Sequence, residues 1–298
     1  MIPVSFGSDP EFLLVDLDGN YRSAIDVIPG TKEDKVNLGN GHFAFYDNVL
    51  AEVNISPGNS AKECIEKFRD CFQRLVKLVG TNLRLKVQAS QIYPRNECQH
   101  PDAKVFGCDP EYNIYLRNEE GRVMRVDPPV ADKNNTFRSA GGHIHIGHEL
   151  ALPWHNPIAV IQMMDILVGL PAVLMDNDPT SLARRKLYGG AGTHRLCLEY
   201  GVEYRSLSNF WVSSPELVET MYNLSNLVIQ LIGENEHEKV FQSLNLEQIP
   251  IAINNNKKLE ARKLLEQVNK YIPKEILKKI EQLSKNKTID FYKSWRIK

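Results

Sequence analysis

The sequence has few cysteines, and none of them forms the patterns that bind zinc or build a disulfide framework. Five cysteines are scattered over 298 residues, and no C-x-x-C pair occurs. An odd and dispersed set of this kind is typical of reduced thiols. We therefore expect neither a disulfide framework nor a zinc-thiolate site.

Signals for secretion or membrane insertion are also missing. The first residues, MIPVSFGSDPEF, contain no basic region followed by an apolar core, and no apolar run is long enough to cross a bilayer. This predicts a cytoplasmic protein without a membrane partner. The polar bias of disordered chains is absent as well, because 42% of the residues are apolar, and we expect a compact globular protein.

Charge is distributed unevenly, although the net charge is only -1. Residues 257–298 contain thirteen Lys or Arg against five Asp or Glu, which leaves residues 1–256 at about -9. An acidic body is compatible with a metal-binding pocket. Apolar residues recur at helical spacing on both sides of Pro273, which predicts two short amphipathic helices. Their basic faces either are solvated or contact a polyanion.

The stretch FGSDPEFLLVD, Phe6 to Asp16, places two acids at the head of an apolar run. On one extended strand both carboxylates would project from the same face, so Asp9 and Glu11 would form a platform for a metal ion. The alternative is a strand with two solvated acids before a turn. The pattern recurs in FGCDPEYNIY, Phe106 to Tyr115, and this recurrence favours a functional role.

Further acids lie in the second copy and in a third stretch. Asp109 and Glu111 belong to the second copy, where they either bind a substrate or an ion or form part of a turn stabilised by Asp-Pro. Phe43 to Ile55 has the composition of a strand and carries Asp47 and Glu52. These acids are candidates for the same acidic pocket.

Two histidines alternate with isoleucines in the sequence GGHIHIG. A strand would turn His143 and His145 to one side and the isoleucines towards the core. A single histidine is most often structural. A pair on one face after Gly-Gly favours a metal or phosphate site.

The region from residue 184 to residue 211 combines arginines with glycines. The glycines permit a loop to approach a ligand closely, and arginine guanidinium groups can bind phosphate oxygens in a fork. Glu203 and Arg205 would share a face of a strand, where they either serve the site or form a structural ion pair. The candidates that this region contributes are Arg185, Gly190, Gly192, Arg195, Glu203 and Arg205.

Five motifs in this order resemble the phage-type carboxylate-amine ligases, type 2, which are placed in the glutamine synthetase and glutamate-cysteine ligase superfamily. The resemblance extends from about residue 3 to about residue 235. The motifs are G-x-DPE-F at residue 7, DN-x-x-x-E-x-N at residue 47, GGHIHIG at residue 141, YG-x-AG at residue 188 and GVEYRSLSN at residue 201.

The resemblance implies an α+β, glutamine synthetase-like fold. In it, a curved antiparallel sheet forms a funnel with helices on the outer face. A ligase domain would span residues 1–235, and a basic helical extension would span residues 236–298. Residue by residue, it implies that divalent ions are held by Asp9, Glu11, Glu52, His143 and Glu203, with Asp47 as a further candidate. The first acid is Asp9 where the superfamily usually has Glu, and this shorter side chain would reach its ion through water.

The implied reaction joins a carboxylate to an amine at the expense of ATP, through an acyl phosphate. Mg²⁺ or Mn²⁺ would bridge the triphosphate and offset charge repulsion. The resemblance gives catalytic roles to Glu203 and to three arginines, Arg185, Arg195 and Arg205, and we expect Arg205 to be the most important. Contacts to ATP would come from these arginines together with His145, Gly190 and Gly192.

The two substrates would be small molecules or peptides in the cytoplasm of a phage-infected bacterial cell. The sequence names neither of them, nor the base that deprotonates the amine, for which Asp47, Asp109 and Glu111 are candidates. Oligomeric state is open. Two other enzyme classes fit parts of the pattern, namely a metal-dependent hydrolase with the same acids and histidines and a phosphotransferase resembling guanidino kinases. A binding protein without turnover is a further alternative.

Overall fold

A computed structural model describes residues 4–104, 111–126, 135–286 and 289–297. The strands are β1 Ser5–Ser8, β2 Glu11–Asp16, β3 Tyr21–Arg22, β4 Val36–Gly39, β5 His42–Asp47, β6 Leu50–Gly58, β7 Leu83–Lys86, β8 Ser90–Ile92, β9 Glu111–Arg117, β10 Val123–Val126, β11 Phe137–Ser139, β12 Ile144–Gly147, β13 Thr193–Cys197 and β14 Gly201–Tyr204. The α-helices are α1 Ala61–Val79, α2 Pro157–Met164, α3 Leu170–Met175, α4 Ser181–Leu187, α5 Pro215–Gly233, α6 His237–Gln242, α7 Gln248–Asn254, α8 Lys258–Val268, α9 Lys274–Ser284 and α10 Phe291–Trp295.

Twelve of these strands form one antiparallel sheet. Its main path runs β10-β9-β13-β14-β12-β1-β6-β2-β3, while β5 also pairs with β6, β4 with β5, and β7 with β2. Strands β8 and β11 form a separate pair. The α+β class with a large antiparallel sheet and helices is therefore confirmed. The glutamine synthetase-like funnel stays a prediction.

Side-chain alternation gives the middle of the sheet two different faces. On one face, Phe6 pairs with Ile146, which pairs with Val202, and all three are buried in the core. The intervening residues form a second row on the opposite face, where Gly7 pairs with His145 and His145 pairs with Glu203. Apolar residues therefore hold the sheet against the helices while polar groups gather on its other side.

Local capping explains where the two longest helices begin. Ser60 accepts a hydrogen bond from the Glu63 amide at 3.2 Å, and the Glu63 carboxylate accepts one from the Asn59 amide at 2.8 Å. Ser214 accepts a hydrogen bond from the Leu217 amide at 3.3 Å, and Pro occupies the first helical position. Both helices therefore begin at caps that a few neighbouring residues of the sequence specify.

The apolar stretch Pro157–Met175 forms one continuous helical segment, in which a π-helical turn, Asp165–Gly169, separates α2 from α3. This segment is long and apolar enough to cross a membrane by length and composition, contrary to our reading of the sequence. It lies almost entirely inside the protein, where the core surrounds it on all sides. Such a segment suits a central core helix.

The basic C-terminal residues pack on the rest of the chain. Val268, Ile280 and Trp295 are buried in the same hydrophobic cluster as the sheet residues. The Trp295 indole also donates a hydrogen bond to the Val212 carbonyl at 2.8 Å. The helices of residues 236–298 therefore share the main core. The domain boundary at residue 235 stays a prediction.

Two strands differ from the sequence prediction. The stretch from Phe6 to Asp16 is divided at Asp9-Pro10, because proline has no amide hydrogen to continue the ladder. The stretch from Phe43 to Ile55 is a hairpin of β5 and β6, with Asn48 at φ 57° in the turn. Both interruptions change where the acids point.

Candidate functional site

Six acids and histidines form two groups on the polar face of the sheet. The first group is Asp9, His143 and Glu203, and the second is Glu11, Asp47 and Glu52. Within each group, one possible ligand atom of every residue lies within 4.8 Å of the others. All five residues predicted to hold metal, together with Asp47, are thus brought together.

The break in the first strand distributes its two acids between the groups. Strand β1 ends at Ser8 beside β12, so Asp9 faces the histidines. Strand β2 starts at Glu11, which pairs in register with Glu52 of β6. A single continuous strand would have placed both acids in one row, whereas the Asp-Pro break gives one acid to each ligand group.

The Gly-Gly pair before His143 lets two chain segments pass close to each other. A Cβ atom on Gly142 would lie 2.8 Å from the Ser208 carbonyl oxygen and from the Trp211 indole nitrogen. The Trp211 indole donates a hydrogen bond to the Gly142 carbonyl at 2.9 Å, and the Gly141 amide donates one to the Glu11 carboxylate. This packing fixes the entry to β12 and therefore the position of His143.

Several polar atoms of the first group are buried without a hydrogen bond. Nδ1 of His143 lies 3.2 Å from one oxygen of Asp9 and 3.2 Å from one oxygen of Glu203, yet neither contact has hydrogen-bond geometry. His145 Nε2 lies 3.2 Å from the other oxygen of Asp9 and also lacks a partner. Buried nitrogen and oxygen atoms that converge without hydrogen-bond partners are typical of metal ligands. The residues present therefore fit a divalent cation.

The two groups differ in the direction in which the pKa values of their carboxylates are shifted. Burial and the nearby Asp47 carboxylate raise the pKa of Glu11 to about 7, and burial with the Asp9 and Asp47 charges raises the pKa of Glu52 well above its usual value. Burial also opposes ionisation of Asp9, but His145 and His143 hold the pKa of Asp9 well below its usual range. The second group consequently has an excess of negative charge that a cation would relieve.

Glu203 connects the first group to two arginines. It accepts hydrogen bonds from Arg205 and, at 3.0 Å, from Arg195 on the neighbouring strand. Burial and Asp9 act against its ionisation, but Arg205 and the histidines lower the pKa of Glu203 to about 2. The carboxylate therefore stays ionised, and it orients both guanidinium groups.

The second Asp-Pro-Glu copy reaches the same site through its last residue. Glu111 begins β9 and accepts a hydrogen bond from Arg205 Nε at 3.0 Å, while Arg205 Nη2 donates one to the Tyr188 hydroxyl. Asp109 lies outside the described residues. Arg205 is thus held by Glu203, Glu111 and Tyr188 at once.

His145 lies at the edge of the cluster beside a cavity of about 280 Å³. Its Nδ1 is 2.5 Å from the Tyr200 hydroxyl. The remaining walls are small or uncharged, including Ser5, Gly7, Asn54 and Gly147. This cavity opens next to the first ligand group, because Asp9 also lines it.

The structure places Arg185 away from the acids. Its Nη1 donates hydrogen bonds to the Ile253 carbonyl at 3.1 Å and to the Asn256 side chain at 3.1 Å, so it anchors the end of α7. Its neighbour Arg184, which the sequence analysis did not select, packs against the Tyr188 ring instead, within range of the charges of Glu11 and Glu111. Adjacent arginines on a helix point in different directions, and only packing decides which one faces the site.

The predicted glycine loop serves packing within the protein. The Gly190 carbonyl accepts hydrogen bonds from Thr193 Oγ1 at 2.7 Å and from Ser206 Oγ at 2.8 Å. A Cβ atom on Gly192 would lie 2.7 Å from Ile114 and from Tyr115. The contacts of Gly190 and Gly192 with ATP stay a prediction.

Gly189 should tolerate substitution poorly because of Arg184. Its φ is +73°, and a Cβ atom there would collide with the Arg184 guanidinium, which is fully buried and has little room to move aside. Gly19 has a similar φ of +85° but no atom within 4 Å of such a Cβ. In urea denaturation, we expect Gly19→Ala to cost about 1 kcal/mol, from strain alone. Gly189→Ala should cost about 2 kcal/mol or more, and equal losses would contradict the contact.

Comparison with known proteins finds a matching family model and a solved structure with a similar fold. The family model described as phage phiEco32-like COOH.NH2 ligase-type 2 matches residues 133–296, whereas the motif resemblance covered residues 3–235. No curated protein matches the chain. The crystal structure of a bifunctional glutathione synthetase from Pasteurella multocida aligns with a TM-score of 0.50 at 10% identity, over 98% of this chain and 48% of that chain. The chain thus spans about half the length of that protein, and the likeness is one of fold.

Proposed function

Because the chain belongs to the phage phiEco32-like COOH.NH2 ligase-type 2 family, whose model matches more than half of it, we propose that it is an ATP-dependent, Mg²⁺-requiring ligase that joins a carboxylate to an amine through an acyl phosphate. One observation carries this proposal. Two groups of metal-binding side chains lie beside an arginine, and one carboxylate, Glu203, belongs to both features. A reaction in which every participant before the amine is an anion requires this combination.

Two divalent ions would be held by the two groups described above. The first has an imidazole nitrogen and two carboxylates, and the second has three carboxylates, so both suit Mg²⁺ or Mn²⁺. When bound, such ions screen the charges of the triphosphate and of the incoming acid. We assign the ligand roles to Asp9, His143 and Glu203 in the first group and to Glu11, Asp47 and Glu52 in the second.

ATP would enter from the cavity beside His145. Small residues line part of this cavity, among them Gly7 and Gly147, and would leave room for a flat base and a sugar. His145, Tyr200 and Asp9 line it as well, so it reaches the first ligand group. A nucleotide bound there would direct its phosphates past His145 towards Arg205.

The reaction then needs positioning and charge stabilisation more than covalent help from the protein. A carboxylate oxygen of the substrate attacks the γ-phosphorus, and the bond from phosphorus to the ADP oxygen breaks. The amine next attacks the acyl carbon, phosphate leaves with the bonding electrons, and the amine loses a proton. Arg205, fixed by Glu203 and Glu111, donates hydrogen bonds to the oxygens that gain charge.

The proposal is tested by supplying ATP and Mg²⁺ with pooled amino acids, polyamines and modified nucleotides. We expect ADP and a product lighter by one water than its two parents, and no product from Glu203→Gln, which keeps the size but removes the charge. Substrate cleavage without ATP would indicate a metal-dependent hydrolase. A stable phosphorylated product without condensation would indicate a phosphotransferase. Either result would overturn the ligase assignment.

A further inference from the structure

Arg184 is a buried cation that forms no direct ion pair with any described residue. Its side chain is 0% exposed. Its Nη1 and Nη2 atoms donate only long hydrogen bonds, 3.3 Å to the Ser206 carbonyl and 3.4 Å to the Arg205 carbonyl. Its Nε is buried with no partner, and no ion pair of the described residues includes it.

A charge of this kind is costly, and the fold makes room for it specifically. Removing an unpaired guanidinium from water opposes folding, and burial lowers the pKa of Arg184 to about 10. Gly189 lacks a side chain where any Cβ would collide with the guanidinium. The Arg184 guanidinium lowers the stability of the ligand-free protein, yet the fold leaves space for it. We therefore expect it to bind an anion.

Tyr188 marks where that anion would lie. Its ring packs over both guanidinium groups, with 5.5 Å from the ring centroid to Arg184 Cζ and 5.5 Å to Arg205 Cζ. Its hydroxyl oxygen accepts a hydrogen bond from Arg205, as an anionic oxygen would. The ring is partly exposed, so it separates the two arginines from solvent.

We propose that Arg184 binds the carboxylate substrate, which turns the Tyr188 ring aside and reaches Arg184 and Arg205 together. The inference rests on the proposed function for its choice of anion. His145 and the cavity lie on the Asp9 side of the cluster, where we place ATP. Arg184 packs against Tyr188, and neither residue lines that cavity, so the anion that Arg184 binds is the second substrate.

Binding of an anion to Arg184 can be measured directly, without catalytic turnover. In ¹⁵N spectra of the arginine Nε–H groups, the Arg184 signal is identified by its absence in Arg184→Lys. Acetate is then added to the metal-free protein, with chloride at equal ionic strength as the control. We expect acetate alone to shift the Arg184 signal while that of Arg185 stays in place. An Arg184 signal that acetate leaves unmoved would overturn the proposal.

Steady-state kinetics test the proposal independently of the binding experiment. With hydroxylamine as amine and pooled carboxylates, we expect Arg184→Lys to raise the carboxylate KM by about tenfold or more, since a charged hydrogen bond contributes about 1.5–3 kcal/mol. The KM for ATP should stay unchanged. Lys186→Met, which removes an exposed charge from the same helix, should alter neither value. A rise confined to the KM for ATP would assign Arg184 to the nucleotide instead.

Arg184→Met separates a binding role from a structural one. If the guanidinium stabilises the fold, this variant should lower the melting temperature of the ligand-free protein. We expect no loss, because an uncompensated buried charge is replaced by an apolar chain of similar length. If the wild-type protein shows no ligase activity, the ligase proposal fails, but the acetate titration and this melting comparison still decide whether Arg184 is an anion site.

Discussion

Replacing Arg205 with lysine is expected to lower kcat by about 10²- to 10³-fold, the usual cost of removing a charged donor from a transition state. Lysine keeps the charge but cannot reproduce three simultaneous contacts, which Arg205 makes with Glu203, Glu111 and Tyr188. The KM for ATP should change far less, because the interaction matters most while charge develops on the phosphoryl group. Steady-state release of ADP measures the effect.

Arg195→Lys is the matched control for this prediction. Arg195 contacts the other carboxylate oxygen of Glu203 at 3.0 Å, but it is 30% exposed, whereas Arg205 is 4% exposed. Solvent screens the more exposed group, so we expect the loss in kcat to stay below about tenfold. Equal losses in the two variants, with unchanged melting temperatures, would show that Arg205 has no special role. A collapse in stability of Arg205→Lys alone would indicate a structural ion pair.

The metal-free protein should lose stability as the pH rises from about 4.5 to about 7. In the unfolded chain Glu11 loses its proton near 4.5, but in the folded chain its pKa is about 7. Unfolding therefore releases a proton within this window, and the free energy of unfolding decreases with rising pH. The interval corresponds to about 3 kcal/mol.

Other groups of the site act in the same direction at higher pH. Although burial alone would lower them, Asp9 and the neighbouring acids raise the pKa values of His143 and His145, so their stabilising contribution is lost above about 6.5. Glu52, with its raised pKa, extends the loss further. Asp9 and Glu203 have lowered pKa values, so their contribution disappears only in strong acid. Within the site the signs therefore do not cancel between pH 5 and pH 8, whereas His42, His148 and His194, whose pKa values are lowered by burial, oppose the trend below about pH 6.5.

Magnesium should reverse the loss at the alkaline end. A cation can occupy the second group only after Glu11 and Glu52 lose their protons, so Mg²⁺ should stabilise the protein more at about pH 8 than at about pH 5. Urea denaturation with EDTA or with Mg²⁺ at both pH values measures this. Glu11→Gln should be less dependent on pH and respond less to Mg²⁺. Equal stabilisation by Mg²⁺ at both pH values would contradict a site formed by these acids.

Repetition and alternation in the sequence located most of the candidate site. The recurring Asp-Pro-Glu pattern and the alternating histidines pointed to Asp9, Glu11 and His143, and all three lie in the acidic cluster. Alternation is a local property, because residues two apart on one unbroken strand share a face, and it failed for Asp9 and Glu11, which the Asp-Pro break separates. The same reasoning reached Glu203 and Arg205, which share the face that carries His145.

The choice between Arg184 and Arg185 could not be made from the sequence. Both follow Leu182 and Ala183 in a short helix, and their neighbours do not distinguish them. The packing of α4 against α7 turns Arg185 towards the Ile253 carbonyl and leaves Arg184 against the Tyr188 ring. The only local signal was Gly189, whose missing side chain makes space for the guanidinium.

The sequence alone determined which side chains of an unbroken strand share a face, where the longest helices begin, and that an acidic, ligase-like set of residues is present. Tertiary structure decided the division of the acids into two groups and the placement of Glu111 against Arg205. Periodicity and capping act within a few residues, so they can be read from the chain itself. Contacts between residues nearly a hundred positions apart depend on how strands pair and helices pack, which no short stretch encodes.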